Sequence, residues 1–352
     1  MQSIFFLSES GKLNTSAIKR CIVISNELKA RGYTSEVYLR EPLFGKYPNV
    51  FAQVPNWKPL LRAGPDVVII HRSSNIIDYR YVQKLQTERP RTRVIFDYDD
   101  ALFHVRTLGR MVSYSHLNKL MSRSDAVFAG SHYLVSYAQR YNSNVHLVPS
   151  SVDTEVFRPL HRAPDTDTVI TIGWLGGATK LTLPGLRLLV DPLNHLSAKH
   201  KIRFKMVSAL SEAVKAELRK NDFAVSFGLD EMMPLDQKIK VAQEIADFDV
   251  GVMPLLDEPF ARGKCAMKAL EYMAMGIPVV ASPVGENCRV VKPGINGFLA
   301  STCTEWSNAL EMLINDGSLR RAMGKRGRKM VEEEYGVKKI VDRMVCAIEQ
   351  LS

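Results

Sequence analysis

Pro254-Leu-Leu-Asp-Glu-Pro-Phe-Ala-Arg-Gly-Lys-Cys-Ala-Met-Lys-Ala-Leu-Glu-Tyr-Met-Ala-Met-Gly276, continuing as Ile277-Pro-Val-Val-Ala-Ser-Pro-Val-Gly-Glu-Asn287, is the stretch on which the reading of this chain turns. A short apolar run over 248–253 predicts a strand that ends at Pro254, and an acidic, proline-bearing loop follows. A helix is predicted over 264–275, opening near Gly263, and a second apolar strand over 277–281. Free backbone N–H groups and the helix dipole at such an opening favour an anion. Lys264, Lys268 and Glu271 stand at i, i+4 and i+7, so on that helix they share one face. Two cations and a carboxylate beside a helix N-terminus suit a diphosphate linked to a ribose. A solvated helix face with one ion pair explains the same spacing.

Outward from this stretch the alternation of strand and helix repeats. Towards the N-terminus, strands are predicted at 168–173, 202–207 and 223–227, with helices at 183–199, 211–220 and 235–247. Helices at 305–315, 317–334 and 336–351 follow on the other side. The segment 158–167 is polar and holds two prolines, which makes it a linker. Before it, strands at 3–7, 35–39, 66–71, 93–97, 125–129 and 145–148 alternate with helices that include 15–31, closed by Gly32, and 132–141, capped by Ser131. Strand-helix alternation means parallel sheets covered on both faces. The expected organisation is a first domain over 1–160, a second over 168–335, and a last helix over 336–352 that crosses back to the first. Two doubly wound halves place a cleft at the carboxyl edges of their strands.

Composition bounds the function classes. Of 352 residues, 46% are hydrophobic and 24% charged, the balance of an ordinary globular chain with a core for each half. The apolar runs are strand-length, too short to span a bilayer, and no leader-like segment precedes Ser3, so a cytoplasmic protein is expected. Five cysteines, Cys21, Cys265, Cys288, Cys303 and Cys346, are odd in number and widely spaced, which excludes a disulfide framework or a zinc site and leaves buried thiols. Net charge is +10, and residues 1–160 hold 21 Lys and Arg against 13 Asp and Glu. That excess points to anionic lipid headgroups, a phosphorylated acceptor or nucleic acid, although a dispersed solvated surface gives the same count. No interleaved aromatic stripe accompanies it, so nucleic acid is not expected as a partner.

The stretch quoted first resembles the GT4-like retaining glycosyltransferases, in the branch that acts in surface-polysaccharide assembly. The resemblance rests on Glu271-Tyr-Met-Ala274, Gly276-Ile-Pro-Val-Val-Ala281, Gly285, Asn296-Gly-Phe-Leu299 and the Arg262-Gly-Lys-Cys265 variant. It implies an α/β GT-B fold, with two doubly wound Rossmann-like domains facing across a cleft, and transfer of a sugar with retention of configuration. The implied co-substrate is a UDP- or GDP-sugar, with no essential cofactor and no metal. By the same resemblance Glu271 grips the donor ribose, with Gly263, Lys264 and Lys268 in the donor site. A second acid usually stands eight residues before that Glu, where this chain has Gly263; Glu258 is the candidate to replace it in catalysis. At the opening of the second domain, Ile172-Gly-Trp-Leu-Gly-Gly-Ala-Thr-Lys180 matches the family's diphosphate loop. Lys180 fits, while Trp174 stands in place of an Arg, leaving Gly176, Gly177 and Thr179 as further donors.

The first half resembles the family more loosely. Gly11, in Ser8-Glu-Ser-Gly-Lys12, occupies the position of a glycine loop near the diphosphate. Asp97, Asp99 and Asp100 end a strand where the family places groups near the reacting sugar. Three carboxylates so close repel one another, so they need raised pKa values or a cation partner. They are candidates to position the acceptor hydroxyl or accept its proton, and helix capping is their plainer reading. His71 and Arg72 end the preceding strand as candidate acceptor contacts. Ala129-Gly-Ser131 and Val148–Asp153 with Phe157 read as structural. The acceptor implied is a glycan, a lipid-diphosphate-linked glycan or another hydroxyl compound. Peripheral association with the anionic inner face of the plasma membrane is expected, through Lys12, Lys19, Arg20, Lys29 and Arg31. Two other functions fit the same pattern: a non-catalytic subunit binding nucleotide sugar or glycan, and a GT-B nucleotide-sugar epimerase.

Overall fold

The computed structural model describes residues 2–8, 14–39, 57–104, 115–160, 169–176, 183–207, 210, 212–229 and 238–351. It divides into a first unit, Met1–Ser151 with Arg262–Cys265 and Val337–Ser352, and a second unit, Val152–Ala261 with Ala266–Gly336.

In the first unit the described residues form a six-stranded parallel sheet of β1 (Ser3–Ser8), β2 (Thr34–Leu39), β3 (Val67–His71), β4 (Arg93–Tyr98), β5 (Ala126–Ala129) and β6 (Val145–Leu147). Their order is β2-β1-β3-β4-β5-β6, so the order reverses between β1 and β3. The run Val-Val-Ile-Ile-His of β3 is buried at every position, as a parallel strand covered on both faces requires. Ser8 of β1 pairs with His71 of β3, and His71 with Asp97 of β4, so three polar residues sit in register at the carboxyl edge. The helix Val337–Glu349 packs here: Ile340, Val341, Met344, Ala347 and Ile348 join Ile4, Phe6, Ile24 and Leu28 in one core. Arg31 Nη1 reaches Asp342 at 2.6 Å.

The helix expected over 15–31 is interrupted. Thr15–Ala17 and Val23–Ala30 are α-helical, and Ile18–Ile22 between them is a π-helical turn. That wide turn buries Lys19 and Arg20, 6% and 4% exposed, instead of displaying them. Two of the five residues expected to face a membrane therefore point inward. Of the others, Lys29 is exposed, Arg31 is tied to Glu27 and Asp342, and Lys12 lies outside the described residues. Gly32, at φ 89°, ends the helix in the left-handed region. Ser131 accepts from Leu134 N at 3.4 Å and so caps His132–Ala138.

In the second unit, β7 (Ile170–Leu175), β8 (Ile202–Val207), β9 (Ala224–Gly228), β10 (Val250–Met253), β11 (Val279–Ala281) and β12 (Gly297–Leu299) form a second parallel sheet, ordered β12-β11-β10-β7-β8-β9. Val250 and Val252 of β10 face the core that holds Trp174, Phe204 and Trp306, while Met253 faces the core that holds Tyr272 and Val279. The strand β12 was not anticipated, being only three residues long and led by a glycine. The helix expected over 264–275 runs over Met267–Ala274, behind a short helix Pro259–Arg262. Ala266 precedes it at φ 52°, a left-handed residue that breaks the helical run. Lys264 thus lies outside the helix and does not share its face with Lys268 and Glu271. Two of the five thiols, Cys21 and Cys265, are buried, whereas Cys288, Cys303 and Cys346 are exposed.

Candidate active site

The second unit's sheet reverses order between β7 and β10, and a crevice for ligands opens outside the carboxyl ends at such a point. Gly176 follows β7 and Pro254 follows β10. The helix Met267–Ala274 is bound to this edge, because Leu175 N donates to the Tyr272 hydroxyl at 2.6 Å. Lys268, one turn before Tyr272, holds its Nζ 4.9 Å from the centre of the buried Trp174 ring. A Cβ on Gly176 would stand 2.2 Å from that Nζ, so the glycine leaves the space that the ammonium occupies. Trp174, the departure from the family's Arg, therefore provides the aromatic face on which a lysine rests. Glu271 is 6% exposed, three residues on from Lys268.

The edge of the first unit's sheet carries a denser network. Asp97, 1% exposed by its side chain, pairs with both Arg20 and His71. Arg20 Nε donates to Asp97 Oδ2 at 2.8 Å, its Nη2 to Oδ1, and its Nη1 to Val148 O at 2.9 Å and Ser150 Oγ at 3.3 Å. His71 Nδ1 lies 2.7 Å from Asp97 Oδ2, and its Nε2 lies 2.8 Å from Ser16 Oγ. The Ser16 hydroxyl donates to Asp99 Oδ2. Arg72, at φ 61°, sets Nη1 3.5 Å from Asp99 and Nη2 3.3 Å from Asp100.

Burial alone would push the Asp97 carboxyl up; the charge and hydrogen bonds of Arg20, with those of His71, hold it down at about 2. Burial acts the same way on Asp99, yet Arg72, His71, Arg20 and the Ser16 hydroxyl keep it below the usual carboxylate range. Of the two ways to relieve three close carboxylates, the structure uses cation partners, and raised pKa values are not found at Asp97 or Asp99.

The structure thus brings Asp97, Asp99, Asp100, His71 and Arg72 together in the first unit, and Gly176, Lys268 and Glu271 in the second. Glu258 is exposed at the entry to Pro259–Arg262. Gly263 packs in the first unit, where a Cβ would stand 2.6 Å from Ala101 Cβ and 3.0 Å from its backbone N. Beside it the Ser131 hydroxyl donates to Gly263 O, and Cys265 Sγ lies 3.2 Å from Asp99 O. Gly11, Gly177, Thr179 and Lys180 lie outside the described residues. Sequence reasoning missed Ser16 and missed Arg20 as a partner of Asp97. The π-helical turn Ile18–Ile22 aims Arg20, while Ser16 stands in the short helix Thr15–Ala17 ahead of it, and nothing in Thr15–Ile22 announces that turn. Among the described residues no group of three or more His, Cys, Asp or Glu could hold a metal ion.

Two doubly wound parallel sheets in one chain define the GT-B class, and solved structures of that class match along the whole length. Sucrose-phosphate synthase from Thermosynechococcus elongatus matches with a TM-score of 0.74 and 16% identity, over 100% of this chain and 99% of that one. Anabaena HepE, solved with UDP and glucose, matches with a TM-score of 0.67 and 16% identity, over 99% and 100%. Likeness at this identity is likeness of fold. In sequence, residues 169–316 match the model of the family described as Glycosyl transferases group 1, which bears out the resemblance read from the motifs. The MMP alpha-(1->4)-mannosyltransferase of Mycolicibacterium hassiacum is 26% identical over 217 residues, which is 58% of this chain and 48% of that protein. The chain spans about half the length of the curated relatives it matches. The chain therefore has the GT-B fold, and residues 169–316, in the second unit, are similar in sequence to glycosyltransferases.

Proposed function

We propose that this protein is a glycosyltransferase that takes a sugar from a nucleoside-diphosphate sugar and gives it to a hydroxyl acceptor. The observation that carries the reading is the Lys268 ammonium resting on Trp174 beside Gly176, with Glu271 buried on the same helix. These residues lie in the segment that matches the glycosyltransferase family, at the strand-order reversal where α/β sheets bind ligands. In this reading Lys268 and Lys180 take the donor diphosphate and Glu271 the ribose hydroxyls. Stabilising the diphosphate as it leaves is the main catalytic contribution, because preorganised charge acts where charge develops. Asp99 and Asp100, with Arg72, form the acceptor side, and the buried Asp97 and His71 brace them from behind rather than touching the acceptor. Retention of configuration and an acceptor that carries its own phosphates, such as a lipid-diphosphate-linked glycan, are the finer parts of the proposal. They are supported by the motif branch and by the basic excess of residues 1–160.

Titration calorimetry with UDP and GDP tests the donor site. One of them binds the wild type, and Lys268→Ala and Glu271→Ala each lose about 1.5–3 kcal/mol, roughly ten- to hundred-fold. Failure of both nucleotides to bind, or wild-type affinity in both variants, overturns the assignment. Slow hydrolysis of the matching sugar nucleotide then separates an enzyme from a binding subunit. Release of an altered sugar nucleotide would mark an epimerase instead.

A further inference from the structure

Beside Asp99 and Asp100 the first unit carries a cluster of aromatic rings. A short 3-10 helix, Leu102–His104, follows these carboxylates directly, with Leu102 N bound to Asp100 O at 2.8 Å and the Leu102 side chain buried as its anchor. Phe103 on this turn is half-buried, and it stands within about 11 Å of Asp100, the reach of three extended residues. Its ring stacks on Tyr137 with centroids 3.5 Å apart and planes 3° from parallel, and its centroid lies 6.2 Å from that of Tyr133 with planes 23° apart. The helix His132–Ala138 turns Leu134 and Ala138 into the core, which leaves Tyr133 and Tyr137, at i and i+4, half-buried on one flank. The Arg140 guanidinium rests 4.6 Å from the centre of the Tyr137 ring. The polar edges are fixed as well: the Tyr133 hydroxyl lies 2.8 Å from His104 Nε2, and the Tyr137 hydroxyl donates to Asn118 Oδ1 at 2.9 Å. Rings held in this way lose little freedom when a ligand settles on them.

We propose that Phe103 and Tyr133, backed by Tyr137, form a stacking subsite for a saccharide ring, next to the ring whose hydroxyl Asp99 and Asp100 receive. The proposal rests on the acceptor-side reading of those carboxylates and narrows the acceptor to a glycan of two or more residues. A pyranose presents a face of C–H groups, which the negative face of an aromatic ring attracts, and a rim of hydroxyls, which need polar partners at the ring edges. Phe103 and Tyr133 supply the faces, and the Tyr133 hydroxyl and the His104 imidazole supply the edge. Charge favours hydroxyls over a phosphate at this end of the acceptor. Asp99 and Asp100 stand against the single guanidinium of Arg72, and an ionised carboxylate only accepts. A lipid chain would use the rings but would bring hydrocarbon against the polar edges and the carboxylates, which costs free energy.

Nuclear magnetic resonance of the full chain, labelled at its Phe and Tyr rings and free of nucleotide, tests this. The probes are maltose, cellobiose, lactose and chitobiose, with glycerol and inositol as simple polyols and dihexanoyl phosphatidylcholine as a lipid. At least one disaccharide should receive saturation through its C–H protons and shift the Phe103 and Tyr133 ring signals at millimolar concentration. Phe103→Ala should weaken that binding about ten-fold, and Phe103→Tyr, which keeps the ring, should retain it. Ring signals that no disaccharide moves overturn the proposal. So does inositol binding as well as any disaccharide, or a lipid that shifts these rings where the disaccharides do not. Should Phe103→Ala not fold, the ring shifts in the wild type and in Phe103→Tyr still decide. Binding lost in Phe103→Ala but untouched in Asp100→Asn would uphold the stacking subsite and remove that carboxylate from the acceptor side. No step uses a nucleotide or turnover, so the outcome is separate from the donor-site calorimetry.

Discussion

Gly263 shows how a single position can be closed to the chemistry that the family resemblance implies there. The family resemblance expects an acid eight residues before Glu271, but a Cβ here would meet Ala101 Cβ at 2.6 Å and Ala101 N at 3.0 Å. Backbone cannot yield as a flexible side chain would, so the position admits only glycine. Restoring the acid is therefore expected to fail: Gly263→Ala and Gly263→Glu should destabilise the protein by about 1–3 kcal/mol, the usual cost of overpacking. Chemical denaturation followed by circular dichroism reads this, and unchanged midpoints would show that the packing gives way. The glycine was legible in the sequence, and its reason was not, because Ala101 lies far away in the chain. Trp174 is a similar case. The sequence marks it as a missing Arg, and only the fold shows Lys268 resting on its ring.

Elements were legible where their pattern is local and long. Runs such as Val67–Ile70 and Val94–Phe96 declare buried parallel strands, and Ser131 declares a cap. Boundaries failed where tertiary contacts set them. The helix in the quoted stretch opens at Met267 because Ala266 adopts a left-handed conformation, for which alanine carries no signal. The first helix widens at Ile18–Ile22, and the turn carries Arg20 to Asp97. Such wide turns are frequent at functional sites. The turn also makes an acid-stability prediction. Asp97 titrates at about 2 in the folded protein, against a reference value of 3.8. A depressed folded-state value contributes stability that is complete above the unfolded value and is lost as pH falls through the folded one. The contribution, on the order of 2 kcal/mol, should therefore fade between about pH 4 and pH 2. Asp97→Asn should be less stable than the wild type at pH 7 and should lack that part of the acid loss. Equal slopes of stability against pH in the two proteins would remove Asp97 from the account.

For the molecule as a whole, the informative quantity is where the +8 of residues 1–160 lies. The first helix contributes little, since Lys19 and Arg20 are buried and Arg31 is paired. Arg62, Lys84, Arg89, Arg91, Arg93 and Arg123 are all exposed, and they gather at the amino-terminal edge of the first unit's sheet. Contacts tie that edge together: Arg89 Nε donates to Leu61 O at 3.3 Å, Gln86 Nε2 to Arg123 O at 3.0 Å, and Arg93 lies 3.4 Å from Asp125. Asp66, Glu88 and Asp125 offset part of the charge. No helix among the described residues is long and apolar enough to cross a membrane, so an encounter with a lipid-borne acceptor would rest on such surface charge. Each Lys or Arg near an anionic surface is worth about 1 kcal/mol within a Debye length. Co-sedimentation with anionic vesicles should thus be clear at low salt, fall steeply toward physiological salt, and be absent with neutral lipid. Arg62→Ser combined with Arg91→Ser should weaken it by about 2 kcal/mol, roughly thirty-fold, while Lys29→Ser on the first helix should change it far less. Equal loss in the two variants would return the contact face to the first helix. A protein that ignores anionic vesicles even at low ionic strength would make the charge a solubility device and the acceptor a soluble compound.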